Sequence, residues 1–182
     1  IAAHQDSPQN IACCIAGQRR FTLFAPEQID NLYIGPLDFT PAGQAVSLVD
    51  FHQPDLQRFP KFKQAKAVIA ELDPGDALII PSLWWHHVEG LSDFNALVNF
   101  WWSKNPSYAA SPFDAMLHSV LAIKHLSNAQ KMAWQTFFQH YVFNQDDTAF
   151  DYLPEAHQGL LKGENEIAAR QLRRYLLNKL NR

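Results

Sequence analysis

Cysteine is scarce in this 182-residue chain: there are two, Cys13 and Cys14, and they are adjacent. Neighbouring cysteines cannot build a disulfide framework, so a reducing compartment is expected. No apolar run approaches the ~18 residues that span a bilayer, and no membrane-crossing helix is expected. Charge of one sign is also missing. A net charge of −3 gives no general electrostatic reason to expect a nucleic-acid partner. The first ten residues are largely polar and hold no leader-like stretch, which makes a cytoplasmic location the expectation. The chain opens on Ile1 rather than Met, and the front of a larger protein is expected to be absent. Internal repeats and low-complexity tracts are lacking too. Aromatics, in contrast, are plentiful: 13 Phe, 5 Trp and 5 Tyr argue for a packed core and against disorder.

Two kinds of local pattern divide the chain. Up to about Asn105, short apolar runs alternate with turn signals. Asn10–Ile15 and Arg20–Phe24 flank the turn Gly17-Gln18. Ala67–Leu72 and Ala77–Ile80 flank Asp73-Pro74-Gly75-Asp76, and Leu83–Glu89 and Asn95–Trp102 flank Gly90–Asp93. Strands at this spacing predict a sandwich or jelly roll. Pro26–Leu32 reads as one helical turn, and Gly35–Lys66, with four prolines and scattered aromatics, as a long ordered excursion. After Pro106 the apolar period becomes helical. Ser111-Pro112 is a helix start, followed by Phe113, Met116, Leu117, Val120, Leu121 and Ile123. Further helices are predicted over about Asn128–Val142 and Glu164–Leu180.

One constellation carries chemistry. His4 and Asp6 stand two apart in an extended segment, so their side chains project to one face and can grip one ion. A third ligand must come from a distant strand, and His86 or His87 is the source. Trp84, His86 and Val88 share one face of that strand, while Trp85, His87 and Glu89 share the other. Two histidines and one carboxylate leave coordination positions open, the arrangement suited to non-haem Fe(II) oxygen chemistry. Taken alone, a His-x-Asp pair is more often a surface turn.

The flanking motifs change that balance. His4-Gln5-Asp6, Asn10, Gly17-Gln18-Arg19-Arg20-Phe21 and Leu23-Phe24-Ala25-Pro26-Glu27-Gln28 stand in order along the chain. Asp50-Phe51, Pro74-Gly75-Asp76, Ile80-Pro81, Trp84-Trp85-His86-His87 and Val98-Asn99-Phe100-Trp101 follow. Together they resemble the metal-binding half of the cupin-like, JmjC-related 2-oxoglutarate oxygenases, and most of all its asparaginyl hydroxylases. The resemblance implies iron ligands His4, Asp6 and His86, with His87 as a packed neighbour. It implies pocket roles for Asn10, Asn99 and Trp101, and by count from Gly17 it puts Arg19 where the family has a lysine for the cosubstrate carboxylate. Arginine can make that grip with both arms of its fork. Trp84 and Trp85 are expected to pack. Ile1 stands where the family has a threonine, and the strands that would precede it are not in this sequence.

The expected fold is therefore mainly β with α: a double-stranded β-helix, or jelly roll of the cupin/JmjC type, followed by a C-terminal helical region. Residues 1–105 form its metal-binding part. Residues 106–182 form a helical region that the resemblance makes a homodimer interface. The implied function is an Fe(II)- and 2-oxoglutarate-dependent oxygenase that uses O2 to hydroxylate a protein or peptide side chain, asparagine leading. A same-fold oxygenase acting on RNA or a small metabolite is one alternative, and a non-catalytic cupin-like binding module is another. Of Cys13 and Cys14, one is expected to face the interior as small filler.

Overall fold

Alternation along Gln9–Ala16 has its structural counterpart in strand β2, where Asn10, Ala12 and Cys14 are buried and Gln9 and Ile15 are exposed. The computed structural model describes residues 2–37, 44–144, 146, 148–162 and 166–180. Ile1, the centre of the 35–66 excursion, the expected helix start at Glu164 and the terminal Arg182 lie outside the described residues. The chain divides into two compact units, Ile1–Lys104 and Asn105–Arg182.

The first unit is built from two antiparallel sheets. One has the order β1-β6-β3-β4, from His4–Gln5, Trp85–Gly90, Arg19–Phe24 and Val68–Leu72. The other has the order β5-β2-β7, from Ala77–Ile80, β2 and Ala96–Trp102. Ala12, Cys14 and Ile80 of the second sheet form one core with Phe21, Leu23, Leu72 and Val88 of the first. The sheets are thus layered with their inner faces together, the antiparallel jelly-roll sandwich expected of the strand spacing. Cys14 is the inward cysteine and Cys13 is only partly buried. Between β2 and β3, Gly17 takes φ +69, and a Cβ there would collide with the Phe94 carbonyl. Glycine is the residue that permits this turn.

A second apolar cluster lies on the outer face of the four-stranded sheet. Phe24 and Trp85 project away from the first core and bury themselves with Leu32 of a one-turn helix, α1 (Ile29–Leu32). Phe51, Phe62 and Ala65 of the long excursion cover them. The described later part of the excursion is therefore ordered by packing, with a 3-10 turn at Pro60–Gln64, and Ser47 forms a bridge with Ile34 just before the excursion.

One strand begins later than its sequence suggests. Leu83 was expected inside Leu83–Glu89, but it adopts φ 65 and β6 starts at Trp85. The cause is a bond to the far side of the site: Leu83 N–H donates to the Asp6 carbonyl at 2.8 Å.

The second unit holds α2 (Pro112–Ile123), α3 (Asn128–Tyr141), α4 (Glu155–Gln158) and α5 (Glu166–Leu180). Ser111 caps α2, its hydroxyl accepting from Asp114 N–H, with Pro112 in the first turn. Ser127 and Gln130 form a reciprocal capping box on α3. Among the described residues, no helix is long and apolar enough to cross a membrane.

Candidate metal centre

Register brings the candidate ligands together. His4 pairs directly with His86 across β1 and β6, and their rings lie 4.3 Å apart between centroids. Asp6 follows His4 by two and stands just beyond the end of β1. The turn before β6 is tied to this exit twice, by Leu83 N–H on the Asp6 carbonyl and by the Ser82 hydroxyl on the Ser7 carbonyl. One ligand atom from each of His4, Asp6 and His86 lies within 4.8 Å of the others.

The tautomers suit a cation. His4 Nδ1 lies 3.0 Å from the Ala2 carbonyl, and His86 Nδ1 lies 3.0 Å from the Trp84 carbonyl. A carbonyl only accepts, so each Nδ1 carries the hydrogen and each Nε2 keeps its lone pair. Such outer bonds fix ring orientation at metal-ligating histidines. Burial pushes the His86 imidazole below its usual range, partly offset by the Trp84 carbonyl; nearby His4 lowers it further and Asp6 raises it. The ring is therefore neutral near pH 7 and available as a donor.

Asp6 is held from two sides. Trp101 Nε1–H donates to Oδ2 at 3.2 Å, and Gln44 Nε2–H donates to Oδ1 at 3.1 Å. Oδ2 also lies 3.7 Å from His86 Nε2.

Of the expected pocket residues, Asn10 is buried, Asn99 half-buried and Trp101 exposed. Asn10 pairs with Trp101 and Ala12 with Asn99, so Asn10, Asn99 and Trp101 face the same side. Asn10 is 2% exposed and its Oδ1 has no hydrogen-bond partner among the described residues. Arg19 stands on the inner face of β3, four residues along from Leu23, which pairs with His86. Four residues of strand span about 13 Å, a distance that an extended arginine and a five-carbon dicarboxylate fill together. Arg19 Nε is likewise buried without a partner. Two nitrogens and one carboxylate oxygen suit Fe(II), and these two orphaned polar atoms suit a polar cosubstrate beside it. The residues present fit both groups.

His87 faces the opposite way. It is buried on the outer face of β6 against the Phe51 ring, 4.9 Å between centroids, with Nδ1 3.7 Å from Glu89 Oε2. Trp85 is buried in the outer cluster and Trp84 packs on the inner core. Arg20 also points outward, paired with Glu71 at 2.7 Å. Sequence reasoning missed Gln44. Nothing in Gly43-Gln44-Ala45 marks it, because its partner lies 38 residues away.

Comparison with known proteins adds to this geometry. Lysine-specific demethylase 8 of Xenopus tropicalis is 37% identical over 100 residues, covering 55% of this chain and 22% of that protein. Human HSPB1-associated protein 1 is 31% identical over 127 residues, covering 69% of the chain and 26% of that protein. The zebrafish (Danio rerio) tRNA wybutosine-synthesizing protein 5 is 35% identical over 104 residues, covering 57% and 29%. The chain thus spans less than a third of the length of each of these relatives. Residues 1–108, more than half of the chain, match the family model described as Cupin-like domain, and the chain belongs to that family.

Proposed function

We propose that this chain carries the metal-binding half of an Fe(II)- and 2-oxoglutarate-dependent oxygenase. The observation that carries this reading is the convergence of His4, Asp6 and His86, with both Nε2 lone pairs directed away from their backbone anchors. His4 Nε2, His86 Nε2 and one Asp6 oxygen hold the ion on one side and leave its remaining positions for cosubstrate and oxygen. Arg19 takes the distal carboxylate of 2-oxoglutarate through charge-assisted bonds. Asn10 and Asn99 supply amide groups beside it, and Trp101 walls the pocket and restricts water. When bound, Fe(II) and 2-oxoglutarate supply oxygen activation: substrate gains one oxygen atom, and the 2-oxoacid leaves as succinate and carbon dioxide.

The substrate we favour is a side chain in a protein or peptide, asparagine first, on the strength of the motifs around His86 and Asn99. A second reading, hydroxylation of an RNA base, is favoured by the relative named for tRNA wybutosine synthesis. The helical unit is read as a homodimer interface, supported by its exposed apolar helix faces.

Metal titration under anaerobic conditions tests the centre. The protein is expected to bind about one Fe(II) per chain, and His4→Ala or Asp6→Ala is expected to abolish binding. Equal metal content in wild type and both variants would overturn the assignment. Mass spectrometry of proteins and RNA exposed to the loaded enzyme separates the substrates: a one-oxygen gain confined to RNA bases overturns the side-chain reading.

A further inference from the structure

The two oxygens of Asp6 have different partners. Oδ2 faces His86 Nε2 at 3.7 Å and takes the Trp101 indole N–H, whereas Oδ1 is turned to Gln44. A free carboxylate offers about four lone-pair sites on two oxygens and readily chelates a cation with both. One donor on each oxygen leaves a lone pair free on both, so what separates them is direction: Oδ2 is turned to His86 Nε2 and Oδ1 is held toward Gln44. We propose that Gln44 is a positioning residue that limits Asp6 to one oxygen at the metal centre, and so keeps a place for a chelating 2-oxoacid. This rests on the oxygenase reading above.

Gln44 is not at Asp6 by the accident of a loose side chain. Ser47 N–H donates to the Ala3 carbonyl at 2.8 Å, beside His4. Gln44 meets Asp6 three residues back along its own segment, where Asp6 is three residues on from Ala3. That reciprocal spacing is the register of two antiparallel chains. Ser47 is itself anchored, its hydroxyl donating to the Leu32 carbonyl at 2.6 Å, and Gly35 N–H donates to the Val46 carbonyl at 2.9 Å. The end of the excursion around Ser47 is therefore tied to the ligand-bearing segment by a backbone bond, and Gln44 lies three residues from that tie. Trp101 holds the other oxygen from the opposite sheet, from a residue that pairs with Asn10. Removing one donor frees one oxygen without releasing the other.

The test separates metal from cosubstrate. Co(II) is titrated into the full chain, its visible absorption recorded, and 2-oxoglutarate then titrated into the Co(II)-loaded protein by calorimetry. Gln44→Met keeps length and bulk but cannot donate. It is expected to hold Co(II) at least as tightly as wild type and to show weaker, higher-coordinate absorption before cosubstrate is added. Its 2-oxoglutarate affinity is expected to fall on the order of ten-fold, the scale at which outer partners tune metal sites. If Gln44→Met matches wild type in both titrations and in its spectrum, the inference is wrong while the oxygenase reading stands. Loss of Co(II) and 2-oxoglutarate together, with a lowered melting temperature, also overturns it, since the residue then only braces the loop. A wild-type protein that takes up no Co(II) overturns the metal reading and this inference with it.

Discussion

The two units bury their apolar side chains to different extents. In the sheet unit, Phe21, Leu23, Phe24 and Trp85 are buried in two clusters on either side of one sheet. In the helical unit, Trp134, Phe137, Tyr141, Leu172, Leu176 and Leu180 lie exposed, and among the described residues the buried ones are Gln158 and Ala168. Yet the helices are the better finished elements locally, with a serine cap on α2 and a full capping box on α3. Local chemistry can start and stop a helix; its apolar face still needs a partner. The sheet unit packs its two layers on each other and so holds His86 and Arg19 on its inner face, while Ile79, Val98 and Phe100 stay exposed on the outer face of the β5-β2-β7 sheet.

The most direct way to break this contrast is to take away helices. If a second copy covers the helical faces, truncation before α5 is expected to convert a dimer to a monomer in light scattering. A truncated chain that stays dimeric would move the interface elsewhere. Next in size are paired core substitutions. Phe21 is 1% exposed, and Phe21→Ala is expected to cost about 3–5 kcal/mol in chemical denaturation. Phe137 is 50% exposed, and Phe137→Ala is expected to cost roughly 1 kcal/mol or less in dilute solution. Raising protein concentration should widen the second cost and leave the first unchanged, because dimerisation adds stability by mass action. Equal costs at all concentrations would erase the distinction.

Within the sheet unit the contrast recurs between two neighbours. Arg19 faces inward with an orphaned Nε, and Arg20 faces outward on Glu71. Arg19→Ala is expected to weaken 2-oxoglutarate binding by roughly ten- to a hundred-fold, the ~1.5–3 kcal/mol of a charge-assisted contact. Metal affinity should hardly change. The same loss from Arg20→Ala in its place would mean that the strand face has been assigned with the wrong parity.

That parity was legible because strands repeat every two residues. Alternation in β2 and the shared face of His4 and Asp6 follow from it; it also puts His86 and His87 on opposite faces, but the choice of His86 between them rests on the family resemblance. Serine followed by an apolar helical period was equally legible at Ser111 and Ser127. Long-range bonds were not. Leu83 leaves its strand to bond Asp6, and Gln44 reaches the same residue from the excursion, in each case through a partner remote in sequence. The α4 turn, four residues long after Pro154, is too short for periodicity to mark.

The smallest expected effect concerns His87 and acid. Burial against Phe51 lowers its pKa, with the Glu89 charge pulling the other way. In the unfolded chain the ring titrates near its ordinary value of about 6.5. Between these values the unfolded state binds the proton and the folded state does not, so acid favours unfolding. The contribution is fully present above the unfolded value and is lost as pH falls through the lowered folded one. From pH 7 to pH 6 one such histidine can remove at most about 0.7 kcal/mol. Denaturant titrations at the two pH values, with chelator present, should show wild type weakening on acidification. His87→Phe keeps an apolar ring against Phe51 and has no proton to take up, so it should weaken less over the same interval. If both proteins lose stability equally, His87 is not buried in its neutral form, and the outer face of β6 is wetter than its packing implies.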